Sequence, residues 1–130
     1  MKLIRAVTVL GSVLAGLLFA NGAVAATASA ITPTFCQGLL ANLRTDTYAA
    51  RGSFTNPADF TGNFEKVNLV WPRITGAIAP PDTFDIVTDF QTTLNALAAA
   101  SPPKLDPAVA QRLVAGAQDV FDCLVANNPH

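Results

Sequence analysis

The stretch NPADFTGNFEKVNLVWPRITGAI, residues 56–78, decides the fold because it has the features of one capped amphipathic helix. Asn56 can accept hydrogen bonds from the unpaired N–H groups of a first helical turn. Pro57 suits the first helical position, since it has no N–H to leave unpaired, and Asp59 meets the positive end of the helix dipole. The apolar residues alternate steps of four and three and predict one buried stripe, made of Phe60, Phe64, Val67, Trp71, Ile74 and Ile78.

Pro72 interrupts this stripe. A proline inside a helix removes one backbone hydrogen bond and clashes with the preceding turn. We therefore predict a break near Trp71, followed by a short helical piece.

A helix is also predicted on the N-terminal side of this stretch. It begins near Phe35 and stops at Arg51-Gly52-Ser53. Its apolar residues recur at steps of one and three, which places them on one stripe of a 3.6-residue helix. They are Phe35, Cys36, Leu39, Leu40 and Leu43.

Two more helices are predicted after a proline-rich turn. The third starts at Asp82, and the fourth has Asp106 as its cap and Pro107 in the first helical position. Leu105 precedes the cap, where an apolar residue can pack back onto the helix as a hydrophobic staple. The predicted core stripes are Phe84, Val87, Phe90, Leu94 and Leu97 in the third helix, and Val109, Leu113, Ala117, Val120, Phe121 and Leu124 in the fourth.

The two cysteines of the chain, Cys36 and Cys123, fall at the start of the first predicted helix and the end of the fourth. Short connections imply antiparallel neighbours, so these two places lie at the same end of a bundle. The spacing is unlike the Cys-x-x-Cys of redox proteins, which favours a structural bridge. The sequence therefore predicts an all-α, up-down-up-down four-helix bundle closed by one disulfide between Cys36 and Cys123.

The N-terminus has the pattern of a cleavable export signal. Lys2 and Arg5 precede an uncharged apolar run, and Ala23-Val24-Ala25 supplies the small-x-small cleavage pattern. The run is shorter than the roughly 20 residues that cross a bilayer. We expect a signal peptide over 1–25, a flexible leader over 26–34, the bundle domain over 35–125 and a frayed tail over 126–130. The mature protein is then secreted or held in the cell envelope, monomeric, with no membrane span.

The charge of the mature part argues against nucleic acid as a partner. Removing Lys2 and Arg5 with the signal leaves six basic and nine acidic residues, a formal charge of −3. These charges are scattered, whereas binding to phosphates needs clustered Lys and Arg.

Few residues could carry catalysis or hold a metal. The only histidine is the last residue, His130, which leaves no base for Ser-His-Asp chemistry and no His ligand within the helices. Asp82, Asp85 and Asp89 share a helix face, which we interpret as a solvated face that offsets the helix dipole, and not as a cation site. We expect no enzyme activity, no metal and no cofactor. The best enzymatic alternative is a pocket of converging arginines drawn from Arg44, Arg51, Arg73 and Arg112.

An apolar ligand held between helices near Trp71 is the alternative to a role in protein interaction. The proline break could leave a gap there, although aromatic residues more often form the core. Tyr48, the only tyrosine, could ligate haem iron or be an exposed aromatic residue. The candidate lining residues are Trp71, Phe64, Phe84, Phe90, Phe121 and Tyr48.

The arrangement of aromatic and capping residues resembles a known group of proteins. Phe64, Trp71, Ile74 and Ala79-Pro80, followed by an aspartate-led helix and a fourth helix with a cysteine near its end, resemble small exported four-helix proteins of actinobacteria. This resemblance implies an exported helical protein with no assigned activity. The cysteines near both ends are also similar to those of secreted haemophore-like helical proteins, but the predicted helices contain no histidine. We expect a non-catalytic protein whose partner is another protein or an apolar small molecule.

Overall fold

A computed structural model of the chain describes residues 33–76 and 78–128. The predicted signal peptide, most of the predicted leader and the last two residues lie outside the described residues. Four α-helices are present in the described part, and it contains no β-strand. They are α1 (Pro33–Ala49), α2 (Pro57–Val70), α3 (Asp82–Ala99) and α4 (Pro107–Asn127). The predicted all-α class is confirmed.

The helices form a closed ring of neighbours. Each packs against the next in the chain, and α4 returns to pack against α1. Cys36 and Cys123 form a disulfide with their Cα atoms 5.7 Å apart, and both residues are buried. The bridge joins the first turn of α1 to the last turn of α4, which confirms the up-down-up-down bundle.

The predicted helix starts are confirmed where a polar residue precedes a proline. The side-chain oxygen of Asn56 accepts a hydrogen bond from the N–H of Ala58 at 2.9 Å, and Asp106 accepts one from the N–H of Ala108 at the same distance. Each cap satisfies one N–H group that a helix start leaves unpaired.

The predicted break at Pro72 is confirmed as well. The α-helix α2 ends at Val70, and the chain continues as one 3-10 turn over Trp71–Arg73. The N–H of Ile74 then donates to the carbonyl of Trp71.

The ends of the bundle differ from the prediction. Helix α1 begins at Pro33 instead of near Phe35, so the last two residues of the predicted leader are helical. Helix α4 runs to Asn127, and Asn128 is buried. In the range 126–130, where a frayed tail was predicted, the side chains of Asn127 and Asn128 bond to the end of α4.

The core is a set of four stripes that each alternate steps of three and four residues, the pattern of helices packed at a small angle. Each stripe mixes large and small side chains, and three of them include a buried polar residue. The stripes are Cys36, Leu40, Leu43, Thr47 and Ala50 from α1 and its end; Asn63, Val67, Val70 and Ile74 from α2 and its end; Thr83, Val87, Phe90 and Leu94 from α3; and Ala110, Leu113, Ala117, Val120 and Leu124 from α4.

The predicted stripe of α2 is correct for Val67 and Ile74, which are buried, but not for its aromatic residues. Asn63 and Val70 are buried, whereas Phe64 is half-buried and Trp71 is 42% exposed. One residue corresponds to a rotation of about 100° around a helix, so each buried residue has its aromatic neighbour on the flank of the helix. Ile78, predicted to end the stripe, is 67% exposed because α2 stops before it.

Candidate functional site

The interior has little free space. Two gaps among the described core residues measure about 10 Å³ each. One lies at mid-height beside Leu40, Val67 and Phe90, and the other lies beside Cys36 and Leu124. A single water molecule needs about 10–15 Å³ on this measure, so neither gap can hold an organic ligand.

The aromatic residues predicted to line a ligand site lie in three separate places. Phe90 is fully buried in the core. Phe84 of α3 and Phe121 of α4 pack edge to face, with ring centroids 5.4 Å apart. The other three, Tyr48, Phe64 and Trp71, lie on the side of the bundle formed by α1 and α2.

An aromatic cluster joins the end of α1 to the start of α2. Phe60 and Phe64 are one helical turn apart and stack at 5.4 Å. Tyr48 contacts both rings, at 6.2 Å and 5.6 Å between centroids. Phe54 contacts Phe60 from the buried side, at 5.7 Å. The cluster therefore runs from the buried Phe54 to Tyr48, whose surface is 51% exposed.

Two arginines of the α1 side lie on this cluster. The guanidinium carbon of Arg44 is 5.9 Å from the centre of the Phe64 ring, and that of Arg51 is 4.5 Å from the centre of the Tyr48 ring. Arg44 also donates from Nε to the side-chain oxygen of Asn68 at 2.7 Å. These contacts hold both guanidinium groups against aromatic rings, where cation–π attraction is favourable.

Among the described residues, two basic residues, one on the other flank of α2 and one just after its end, form ion pairs, whereas the arginines of the aromatic cluster do not. Lys66 pairs with Asp89 and Arg73 pairs with Asp82, each at 3.0 Å. Within residues 33–76 and 78–128, no carboxylate lies within ion-pair distance of Arg44 or Arg51. The α1 and α2 side therefore has unpaired positive charge.

A surface groove of about 490 Å³ continues from this cluster between α1 and α2. These two helices are the least closely packed of the four neighbouring pairs. The groove is lined by Ala41, Arg44, Thr45, Asn68 and Trp71. We call the surface formed by Arg44, Tyr48, Arg51, Phe64, Asn68 and Trp71 the aromatic–arginine face.

A second groove of about 520 Å³ lies between α1 and α4. Its polar lining includes Asp46, Arg112 and Asp119, and it has no aromatic residue. Gly116 allows close approach here, because a Cβ atom at this position would lie 3.2 Å from Cδ1 of Leu43.

Of the four arginines proposed for an enzymatic pocket, only Arg44 and Arg51 lie close together in the described residues, and no third arginine joins them. Arg44 lines the α1–α2 groove, Arg112 lines the α1–α4 groove, and Arg73 is bound to Asp82 and to the carbonyl of Leu69.

The described residues contain no group of three His, Cys, Asp or Glu side chains placed to hold a metal ion. Of the helices in this part of the chain, none combines the length and the apolar character that crossing a bilayer requires.

Asn68 was not among the site residues predicted from the sequence, and Arg44 and Arg51 were predicted only as catalytic candidates. A usable signal was present, since Arg44 and Tyr48 are four residues apart and so are Phe64 and Asn68. Residues at this spacing are neighbours on a helix surface.

Comparison of this chain with protein-family models, with curated proteins and with solved structures finds no significant match. The function is therefore inferred from the surface and the core of the bundle.

Proposed function

We propose that this protein is a non-catalytic interaction protein that acts outside the cytoplasmic membrane and binds a protein partner through the aromatic–arginine face. The observation that carries the proposal is the exposure of Trp71 and Tyr48 on the same side of the bundle as the unpaired Arg44 and Arg51. Trp, Tyr and Arg are the residues that most often dominate the free energy of protein association.

The disulfide and the N-terminal sequence support this compartment. Disulfides persist in oxidising compartments and are rare where glutathione keeps thiols reduced. The buried Cys36–Cys123 bridge is typical of proteins that fold in such a compartment. The export-signal pattern of residues 1–25 supports the same location.

An apolar ligand between the helices has less support. Small-molecule sites are concave and usually measure about 300–1,000 Å³, whereas the two interior gaps measure about 10 Å³ each. The α1–α2 groove is large enough, but it is open to solvent on the bundle surface and its lining includes Arg44, Thr45 and Asn68.

Site-specific photo-crosslinking in the exporting cell tests this proposal. A photoreactive residue replaces Thr45, which is exposed and lines the α1–α2 groove, and a matched variant carries it at Ala115, which is exposed and lines the α1–α4 groove. We expect a discrete protein adduct from position 45 that is lost when Trp71 is changed to Ala, and none from position 115. Equal adducts from both positions, or none from either, would overturn the proposed face.

Mass spectrometry of the natively purified protein tests the apolar-ligand alternative. Under native conditions, we expect the mass to correspond to the chain without the predicted signal peptide over 1–25, with one disulfide and no lipid or haem. A stoichiometric lipid or haem would replace the interaction proposal by ligand binding.

A further inference from the structure

We infer that the partner segment bound by the aromatic–arginine face is an acidic amphipathic helix of another protein, lying along the groove between α1 and α2. This inference rests on the proposed function, because it names the chemistry of the partner at the same face.

The positive charge of the face favours binding of an acidic partner. Arg44 and Arg51 have no carboxylate within ion-pair distance among the described residues, although the chain as a whole has a formal charge of −1. A partner that covers these guanidinium groups removes water from them, and this is unfavourable unless it supplies an opposite charge. Carboxylates of Asp or Glu can accept hydrogen bonds from the guanidinium groups in the fork geometry that arginine offers.

The acidic residues close in sequence do not supply this charge. Asp46 lines the other groove, between α1 and α4. Glu65 follows Phe64 and therefore points about 100° further around α2, away from α1. It is exposed and forms no ion pair in the described part of the chain.

The shape of the face favours a helical segment of the partner. Arg44, Tyr48 and Arg51 follow each other at steps of four and three along α1 and its end, so they form one row parallel to the helix axis. The distance from Ala41 to Arg51 along this row is roughly 15 Å, or nearly three helical turns. An amphipathic helix binds such a groove through apolar anchors spaced at three, four and seven residues.

A partner strand has no comparable place to bind. Strand addition needs the free edge of a sheet, and the described residues contain no strand, only one isolated bridge between Phe54 and Leu105. A helix in the α1–α2 groove would instead cover the exposed parts of Tyr48, Phe64 and Trp71. Its apolar side then contacts these rings, while its acidic residues reach the two arginines.

Selection from a displayed library of random 18-residue peptides tests the inference with the full chain as bait. We expect the enriched peptides to contain more Asp and Glu than Lys and Arg, with apolar residues spaced at three, four and seven. A synthetic peptide of the enriched sequence should change the fluorescence of Trp71, the only tryptophan, in a saturable way.

Arginine variants test whether the acidic residues of the peptide bind to Arg44 and Arg51. Changing Arg44 and Arg51 together to Gln should weaken binding of the synthetic peptide by at least about tenfold, because charge-assisted hydrogen bonds are lost. Changing the same two arginines to Lys keeps the positive charge and should weaken binding of the peptide by less. Arg112→Gln, in the other groove, is the matched control and should bind as the wild type does. Circular dichroism verifies that each variant is folded.

Several results would overturn the inference. They are enrichment of neutral, basic or proline-rich peptides, failure to enrich any peptide, and equal binding by the double Gln variant. Self-association of the chain through the same face, detected by ultracentrifugation and abolished by Trp71→Ala, would replace the partner by a second copy. A position-45 adduct in cells combined with a failed selection overturns only the acidic helix, whereas the absence of any adduct overturns the proposed function itself.

Discussion

The side-chain oxygen of Asn128 accepts a hydrogen bond from the backbone N–H of Ala79 at 2.7 Å, and both residues are buried. The side-chain nitrogen of Asn128 donates to the carbonyl of Leu124 in the last turn of α4. One side chain therefore joins the end of α4 to the loop that connects α2 and α3. It does so at the same end of the bundle as the disulfide.

Changing Asn128 to Ala should lower the free energy of unfolding by about 1–3 kcal/mol, since the buried N–H of Ala79 loses its partner. Asn127→Ala is the control. Asn127 donates to the carbonyl of Cys123 and is only part-buried, so its loss should cost less. Urea denaturation followed by circular dichroism measures both. Equal decreases in the free energy of unfolding for the two substitutions would show that the hydrogen bond to Ala79 does not stabilise the fold more than the bonds of Asn127 do.

Removing the disulfide should destabilise the bundle strongly. The bridge closes a loop with a sequence separation of 87 residues, for which the chain-entropy model gives a stabilisation of up to about 4–5 kcal/mol. We expect the double variant Cys36→Ala, Cys123→Ala to unfold at a lower urea concentration than the oxidised protein. Adding reductant to the double variant is the control and should have no effect. An unchanged midpoint for the double variant would contradict a structural role for the bridge.

Thr83 and Thr47 provide a matched pair of buried hydroxyl groups. Oγ1 of Thr83 has no hydrogen-bond partner among the described residues, whereas Oγ1 of Thr47 donates to the carbonyl of Leu43 at 2.7 Å. Burial of a hydroxyl group without a partner costs about 1–3 kcal/mol. Thr83→Val should therefore stabilise the protein by about 1 kcal/mol, and Thr47→Val should be neutral or destabilising. The midpoint of thermal unfolding distinguishes them, and a loss of stability in Thr83→Val would indicate a bound water or partner.

Three helical glycines should respond differently to alanine. A Cβ atom at Gly38 or Gly62 would meet nothing within 4 Å, while one at Gly116 would press on the buried Leu43. Glycine is less favourable than alanine in a helix by about 0.8–1 kcal/mol. Gly38→Ala and Gly62→Ala should each raise the free energy of unfolding by up to this amount. Gly116→Ala should raise it by less, or lower it. Equal increases in the free energy of unfolding at all three positions would mean that the Leu43 side chain can move away from the added Cβ atom without destabilising the core.

Features that depend on neighbouring residues were predicted correctly from the sequence. The caps at Asn56 and Asp106 and the break at Pro72 arise from hydrogen bonds that a few adjacent residues make or lack. The pairing of Cys36 with Cys123 also followed, because four antiparallel helices leave these two positions at one end.

The orientation of α2 was decided by tertiary packing. Phe60, Phe64, Val67, Trp71 and Ile74 follow steps of four and three, and so do Phe60, Asn63, Val67, Val70 and Ile74. Hydrophobicity favours the first series, since Asn63 is polar. The structure buries Asn63 and Val70, the two residues that distinguish the second series, because their smaller side chains fit between helices that pack about 8–10 Å apart. Asn63 compensates in part by donating to the carbonyl of Asp59.

The candidate site depends on this choice of orientation. With Val70 inside, Trp71 and Phe64 lie on the flank of α2 that contacts α1, where they meet Arg44 and Tyr48. Residue order thus determined the helices, their ends and their covalent closure, since these require only local bonds and chain connectivity. The packing of the four helices decided which flank of α2 lies on the surface. The space between the helices depends on the side chains of all four, so the sequence of α2 alone does not determine it.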